Sequence, residues 1–129
     1  MSPETGYFLE KARKVLGEAE AVLAIDLHEL AGRMAYLAGF HAAQAFISEK
    51  SGRSVKTHKG VQAELFRLTK EDPTLDPDLR VFLSRNYDLK NIADYETGPD
   101  ASVSPERAGM AVQEAKRFVA HFESVLRQT

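Results

Sequence analysis

Three proline motifs constrain the fold of this chain more than any other feature of its sequence. A small polar residue, a proline and an acid follow one another from Ser2, Asp76 and Ser104, as SPE, DPD and SPE. The first residue of each motif can cap a helix, proline suits the first helical position, and the acid favours the positive end of the helix dipole. Each motif therefore predicts the start of an α-helix.

Two further helix starts lie between these motifs. Asp26 followed by Glu29 predicts a capping box, and Thr57 is a weaker cap. The five starts give predicted helices at residues 3–24, 26–51, 57–71, 77–96 and 105–127. No segment of alternating β-branched residues competes with them. The sequence therefore predicts an all-α fold, an antiparallel bundle of four to five helices, in a single domain spanning residues 1–129.

Apolar residues recur at helical spacing along two of these predicted helices. The second helix carries the stripe Leu27, Leu30, Met34, Leu37, His41 and Ala45. The last helix carries the stripe Met110, Ala111, Ala115, Phe118, Phe122 and Val125. We expect these two stripes to face the core.

Gly39 lies among alanines in the second predicted helix, in the segment AYLAGFHAAQA. A glycine inside a helix costs about 1 kcal/mol relative to alanine. Its presence predicts that another helix approaches closely at this point. That helix belongs either to the same chain or to a second subunit, and the sequence leaves both alternatives open.

Composition excludes several classes of site. The chain has no cysteine, so disulfides and thiolate chemistry are excluded. Its four histidines are far apart in sequence, so no metal site is predicted, nor any other cofactor. The first twenty residues do not resemble a signal peptide, and no apolar run reaches membrane-spanning length. We expect a cytoplasmic protein without membrane contact.

Positive charge is concentrated in one stretch, although the net charge of the chain is -2. We call Lys50, Arg53, Lys56 and Lys59 the basic patch, and His58 lies within it. Neighbouring lysines should lower the pKa of His58, and the start of a helix there favours an anion. A solvated basic turn is the alternative.

The segment YDLKNIADYETG, residues 87–98, places ionisable groups on a helix that also has to pack. Lys90 and Asp94 are four residues apart, so we expect them to pair across one helical turn. Tyr87 lies one turn before Lys90, and we expect Tyr95 to direct its hydroxyl into the same cleft. These side chains form either the polar floor of a cleft or a solvated face.

Four stretches resemble the HEPN superfamily (higher eukaryotes and prokaryotes nucleotide-binding), specifically its small stand-alone bacterial and archaeal members. AYLAGFHAAQAF at 35–46 is similar to the alanine-rich second helix of that family, and KTHKGV at 56–61 to the opening of its third helix. YDLKNIADYETG is similar to a later segment, and SPERAGMAVQEAKRFVAHFESVL to the closing helix. The resemblance covers nearly the whole chain, with the four stretches in order.

The resemblance implies a helical bundle, usually a homodimer, with a polar cleft near the twofold axis. Many members are metal-independent ribonucleases, commonly toxins paired with a minimal nucleotidyltransferase antitoxin. Their motif is an arginine followed after a short interval by a histidine, on the helix that matches residues 77–96. Here Lys90 occupies the arginine position, and only Asp94 or Tyr95 stands where the histidine would follow. Lysine lacks the bidentate fork of arginine, and neither Asp nor Tyr ordinarily titrates near neutrality.

Three hypotheses about function follow. The first is a nucleotide- or RNA-binding homodimer that acts with a nucleotidyltransferase-type antitoxin and lacks enzymatic activity. The second is a divergent ribonuclease, and the third is a purely structural dimer, so the sequence leaves open whether the protein is an enzyme. The candidate ligand-binding residues are Lys56, His58, Lys59, Lys90, Asp94 and Tyr95, of which His58, Lys90, Asp94 and Tyr95 are also the catalytic candidates.

Overall fold

The computed structural model describes residues 1–128; Thr129, the last residue of the predicted domain, lies outside them. Six helices follow one another along the chain, and no strand occurs among the described residues. They are α1 (Pro3–Ala24), α2 (His28–Ser51), α3 (His58–Thr69), α4 (Pro77–Arg80), α5 (Phe82–Tyr95) and α6 (Pro105–Arg127). The prediction of an all-α bundle is confirmed.

Four of the predicted caps form as expected. The side-chain oxygens of Ser2, Thr57, Asp76 and Ser104 each accept a hydrogen bond from a backbone N–H two or three residues further on, at 2.9–3.2 Å. These bonds satisfy amide groups that the first turn of a helix would otherwise leave unpaired. The starts of α1, α3, α4 and α6 are therefore encoded locally.

The capping box predicted at Asp26 and Glu29 is wrong. Leu27 precedes α2 and makes no side-chain capping bond. Asp26 lies in the turn between α1 and α2 with a φ of 63°, in the left-handed region. Asp tolerates this conformation better than most residues. Its carboxylate lies 3.6 Å from Nε2 of His28 instead of capping the helix.

The predicted helix at 77–96 is divided into α4 and α5, so the bundle has six helices where four to five were expected. Val81 separates the two, with φ and ψ of -98° and 6°. Arg80 accounts for the break, because its guanidinium donates to the carbonyl oxygens of Thr69 and Asp72, both at 3.1 Å. These bonds hold the single turn of α4 against the end of α3.

Helix α2 occupies the centre of the bundle, where it packs against α1, α3, α5 and α6. From Ala42 to Ser48 each residue of α2 is buried. The predicted stripe on this helix is only partly correct, because Leu27 is exposed and Met34 and Leu37 are only partly buried. Met110, expected in the core from the stripe on α6, is exposed as well.

Gly39 permits a close approach within the same chain. A Cβ atom added at this position would overlap the Phe82 ring of α5 and lie 3.4 Å from Cδ1 of Phe118 in α6. The rings of Phe82 and Phe118 pack on each other, with centroids 5.0 Å apart. Of the two alternatives, the close approach of helices of the same chain therefore explains Gly39.

None of the helices in residues 1–128 is long and apolar enough to cross a membrane.

Candidate functional site

A cluster of polar and aromatic side chains forms where α3 and α5 meet α2. We call this cluster the α2/α5 site, and its members are Arg33, Tyr36, Phe40, His58, Gln62, Tyr87, Lys90 and Asp94. Four of them come from the predicted segment 56–61 or 87–98. The others are carried by α2 and by the second turn of α3.

The predicted pairing of Lys90 with Asp94 is confirmed, with Nζ of Lys90 3.1 Å from Oδ2 of Asp94. The other oxygen of Asp94 accepts a hydrogen bond from Nε of Arg33 at 2.7 Å. The exposed fractions of the Arg33, Lys90 and Asp94 side chains are 32%, 14% and 22%. One carboxylate thus joins two cations from two helices in a partly buried position, and the three groups together carry a charge of +1.

The electrostatics of these groups reinforce their charged forms. Desolvation alone would raise the pKa of Asp94, but the hydrogen bonds and charges of Lys90 and Arg33 outweigh it and lower that pKa. The hydrogen bond to Asp94 raises the pKa of Lys90, against a smaller opposing effect of desolvation. Both groups are therefore ionised at neutral pH.

Tyr95 lies at the outer edge of this cluster. Its side chain is 73% exposed, and the Lys90 ammonium lies 4.8 Å from the centre of its ring. An ammonium at this distance from an aromatic ring is attracted by the negative face of the ring. A side-chain hydrogen bond between Tyr95 and Lys90 is among the smaller causes that raise the pKa of Lys90. Tyr95 therefore contacts Lys90 through its hydroxyl as well as its ring, but from the exposed rim of the cluster.

His58 is held within a group of aromatic rings. Its Nδ1 atom lies 2.9 Å from the hydroxyl of Tyr36. Its ring centroid is 4.6 Å from that of Phe40, 5.2 Å from that of Tyr87 and 5.6 Å from that of Tyr36. The first residue of α3 is therefore tied to α2 and packed against α5.

The pKa of His58 is lowered, as its sequence context predicted, but the cause is different. Burial makes the largest contribution, and the positive charge of Lys90 adds to it; the flanking lysines were the cause expected. Burial also raises the pKa of Tyr36 to about 12, while a side-chain hydrogen bond with Gln62 acts in the opposite direction. His58 and Tyr36 are accordingly both neutral at pH 7.

The basic patch surrounds the start of α3 on the protein surface. Lys50, Arg53, Lys56 and Lys59 are all exposed. Arg53 lies 3.8 Å from Glu64, and Lys50 lies 5.9 Å from the centre of the Phe46 ring. Neither Lys56 nor Lys59 forms an ion pair within residues 1–128. The patch therefore retains free positive charge next to His58.

His41, which the sequence places on an apolar stripe, is partly buried and hydrogen-bonded. Its Nδ1 atom lies 2.8 Å from Oε1 of Gln44, and Gln44 donates in turn to the carbonyl of Val55 at 2.8 Å. Burial lowers the pKa of His41. In the described part of the chain, no group of three or more His, Asp or Glu side chains is placed to hold a metal ion.

Sequence reasoning missed four members of the site: Arg33, Tyr36, Phe40 and Gln62. Arg33 is the only Lys, Arg, Asp or Glu between Leu30 and Ser48, in a segment otherwise rich in alanine. A charge that stands alone in a helix with such a composition was the signal that could have identified it. Tyr36 follows one turn later, so both side chains leave α2 on the side that faces α5.

The chain is similar to several known proteins. A model of the HEPN domain family matches residues 5–125. A UPF0332 protein of Archaeoglobus fulgidus is 33% identical over 111 residues, which are 86% of this chain and 86% of that protein. The crystal structure of TT1696 from Thermus thermophilus superposes with a TM-score of 0.79 at 20% identity, covering 95% of this chain and 98% of that one.

Proposed function

This chain belongs to the HEPN domain family, and from that premise we propose that it is a homodimer that binds RNA or a nucleotide. We further propose that it acts in a pair of toxin–antitoxin type with a nucleotidyltransferase-like partner. Both proposals follow the traits of the family, in which dimers and such pairs are common. The ligand-binding residues in this proposal are Lys56, His58, Lys59, Lys90, Asp94 and Tyr95.

The observation that carries the proposal is the convergence of cations and exposed or half-buried rings at the α2/α5 site. Arg33 and Lys90 exceed Asp94 by one positive charge, the Tyr95 ring lies against Lys90, and the Tyr87 ring packs on His58. Cations that follow a phosphate backbone, combined with rings on which bases stack, are what single-stranded nucleic acid requires.

The basic patch extends this positive surface. Lys56 and Lys59 flank His58 in sequence, so the patch adjoins the α2/α5 site at His58. Each phosphate neutralised by the patch releases counterions, which makes binding dependent on salt.

Fluorescence anisotropy with a labelled single-stranded RNA tests the proposal. We expect weak binding whose logarithmic salt slope is about 0.7 for each phosphate neutralised. The double variant Lys56→Glu/Lys59→Glu should weaken binding and reduce that slope. The matched control is Lys11→Glu/Lys14→Glu, which changes the charge equally, at the same spacing, on exposed positions of α1. Binding that is insensitive to salt, or equal in the two double variants, would contradict the role of the patch.

The partner proposal has its own test. A gene for a small nucleotidyltransferase beside the gene for this chain favours the pair, and co-expression followed by affinity purification then shows whether the two proteins associate. An isolated gene would count against it.

A second candidate function, a metal-independent ribonuclease, is favoured by the position of His58. When Nδ1–H of His58 donates to the Tyr36 oxygen, Nε2 keeps a lone pair and can accept a proton. The 2′-hydroxyl of an RNA would lose its proton to Nε2 as its oxygen attacks the phosphorus, and the 5′-oxygen would leave with a proton from solvent. Cleavage in EDTA that yields 2′,3′-cyclic phosphate ends and is lost in His58→Ala supports this activity; an unchanged rate in His58→Ala excludes it.

A further inference from the structure

Arg33 is held by only one of its three guanidinium nitrogens. Nε donates to Asp94, and neither terminal nitrogen donates a hydrogen bond within residues 1–128. We propose that these two terminal nitrogens bind a phosphate group of the ligand as a two-pronged contact, and that Asp94 is the residue that positions them. The proposal rests on the proposed function, since it names the group that takes the phosphate of the RNA or nucleotide.

The chemistry of the guanidinium favours this assignment over Lys90. The guanidinium is planar, and its parallel N–H groups match two oxygens of one phosphate, whereas an ammonium acts as a point charge. A carboxylate that occupies Nε–H leaves the end of the guanidinium, where each terminal nitrogen directs an N–H, for a second acceptor. The Arg33 side chain is 32% exposed, so it is not enclosed by the protein.

Asp94 fixes the guanidinium in place from a different helix. Its two oxygens contact Nε of Arg33 on α2 and Nζ of Lys90 on α5, so it sets the separation of the two cations. Because a long arginine side chain loses rotamer freedom when it is bound, prior fixing by Asp94 reduces the entropy cost of ligand binding. The carboxylate does not need to leave, since the phosphate takes the terminal nitrogens.

His58 completes the surroundings of this phosphate without competing for it. It is neutral at pH 7, because burial and the charge of Lys90 lower its pKa. Arg33 and Lys90 thus carry the positive charge of the α2/α5 site, and the rings of Tyr87 and His58 form its apolar side.

The test compares Arg33→Lys with Arg33→Ala, using a labelled single-stranded RNA at pH 7 and several salt concentrations. We expect both variants to weaken binding by about tenfold or more, since a hydrogen-bonded charged contact is lost in each. Arg33→Lys should keep most of the salt slope, because its charge remains, while Arg33→Ala should lose about 0.7 of it. Arg33→Lys that binds within about twofold of the wild type would overturn the two-pronged contact.

Asp94→Glu tests the positioning role. The charge of the site is kept while the longer side chain moves the carboxylate, so we expect weaker binding with an unchanged salt slope. Unchanged or tighter binding would overturn the positioning role of Asp94. The matched control is Asp88→Glu, which alters the carboxylate of another interhelical Arg–Asp pair, with Arg107 at 2.6 Å, and should leave binding unchanged.

A separate experiment distinguishes failure of the proposed function from failure of the contact between Arg33 and phosphate. If the wild type binds no RNA, a titration with inorganic pyrophosphate followed by the arginine side-chain signals in ¹H–¹⁵N NMR tests Arg33 alone. A shift of its terminal N–H signals, with the Nε signal held by Asp94, supports the contact without any RNA. Absence of a shift overturns it.

Discussion

At the scale of single residues, Asp94 decides between a role in ligand binding and a role in stability. Its side chain is 22% exposed and makes two ion pairs, so it resembles neither an isolated surface charge nor a fully buried one. Exposed pairs contribute about 0.3–0.5 kcal/mol each, whereas removing one partner of a buried pair costs roughly 3–5 kcal/mol. The two limits are far enough apart to measure.

We predict that Asp94→Ala lowers the free energy of unfolding by no more than about 1 kcal/mol, the sum of two partly screened pairs. The same variant should abolish RNA binding, because Arg33 and Lys90 lose the group that holds them together. Urea denaturation and anisotropy measure the two effects, and Tyr95→Phe should likewise leave the melting temperature almost unchanged. A loss of roughly 3–5 kcal/mol would instead make the Lys90–Asp94 pair a structural clamp.

His58 gives a prediction about pH. Its pKa in the folded state is lowered from 6.5, so its contribution to stability is complete above pH 6.5 and is lost as the pH falls through the folded-state value. Protonation would place a charge next to Lys90 in a partly buried site. The stability of the wild type relative to His58→Gln should therefore decrease from pH 7 towards pH 5, in urea titrations at each pH.

His41 also has a lowered pKa, and its charge adds to the lowering of the pKa of His58. Comparing His41→Gln with the double variant His41→Gln/His58→Gln therefore isolates the effects of burial and Lys90 on His58. A constant difference in stability across this pH range would mean that burial and Lys90 do not act on His58.

At the scale of helices, local signals determine the starts, and tertiary contacts determine the exceptions. Ser2, Thr57 and Ser104 cap helices as their sequence contexts predict. The break at Val81 could not be predicted, because it depends on Arg80 reaching carbonyl groups at the end of α3. The left-handed turn at Asp26 likewise depends on how α1 and α2 pack as a hairpin.

Gly39 gives a prediction at this scale. Gly39→Ala should destabilise the protein by about 1–3 kcal/mol, because the new methyl group overlaps the Phe82 ring. This cost exceeds the gain of about 1 kcal/mol in helix propensity. The matched control is Gly17→Ala on the exposed side of α1, where an added Cβ meets no atom within 4 Å and should stabilise. Thermal denaturation of the two variants tests this prediction. Equal stabilisation in both would show that α2 and α5 are packed less closely at Gly39 than the structure indicates.

At the scale of the whole molecule, the candidate site could be predicted only in part. The pairing of Lys90 with Asp94 follows from helical spacing, so the sequence alone sufficed. Arg33 and Tyr36 belong to the site only because α2 lies against α5. No local sequence pattern predicts how one helix is rotated relative to another. The arginine–histidine motif of the family likewise falls on α5. The guanidinium that contacts α5, however, is that of Arg33 on α2.

The proposed homodimer gives a prediction about the molecule as a whole. A groove of about 550 Å³ next to the α2/α5 site is lined by apolar residues, among them Phe66, Val81 and Leu83, and at its edges by Lys59, Gln62, Arg80 and Ser84; Phe66 is 59% exposed. A twofold axis near the site would cover this groove with the second copy. We therefore predict that sedimentation at micromolar concentration shows a dimer and that Phe66→Glu converts it to a monomer.

Met110→Glu is the control for that experiment, since Met110 is similarly exposed but lines a different concavity, with Arg85 and Gln113. A wild type that sediments as a monomer would remove the dimer and every site built across its axis.

The bond between Arg33 and Asp94 joins residues that are 61 positions apart in the chain. A ribosome must therefore translate beyond residue 94, and α5 must leave the exit tunnel, before the guanidinium acquires its carboxylate. Nascent chains and products truncated before that point carry Arg33 without its positioning group. If the protein is the toxic member of a pair, Arg33 is not positioned for its ligand until synthesis of the chain is nearly complete. A partner protein therefore has time to be present before the toxic activity begins.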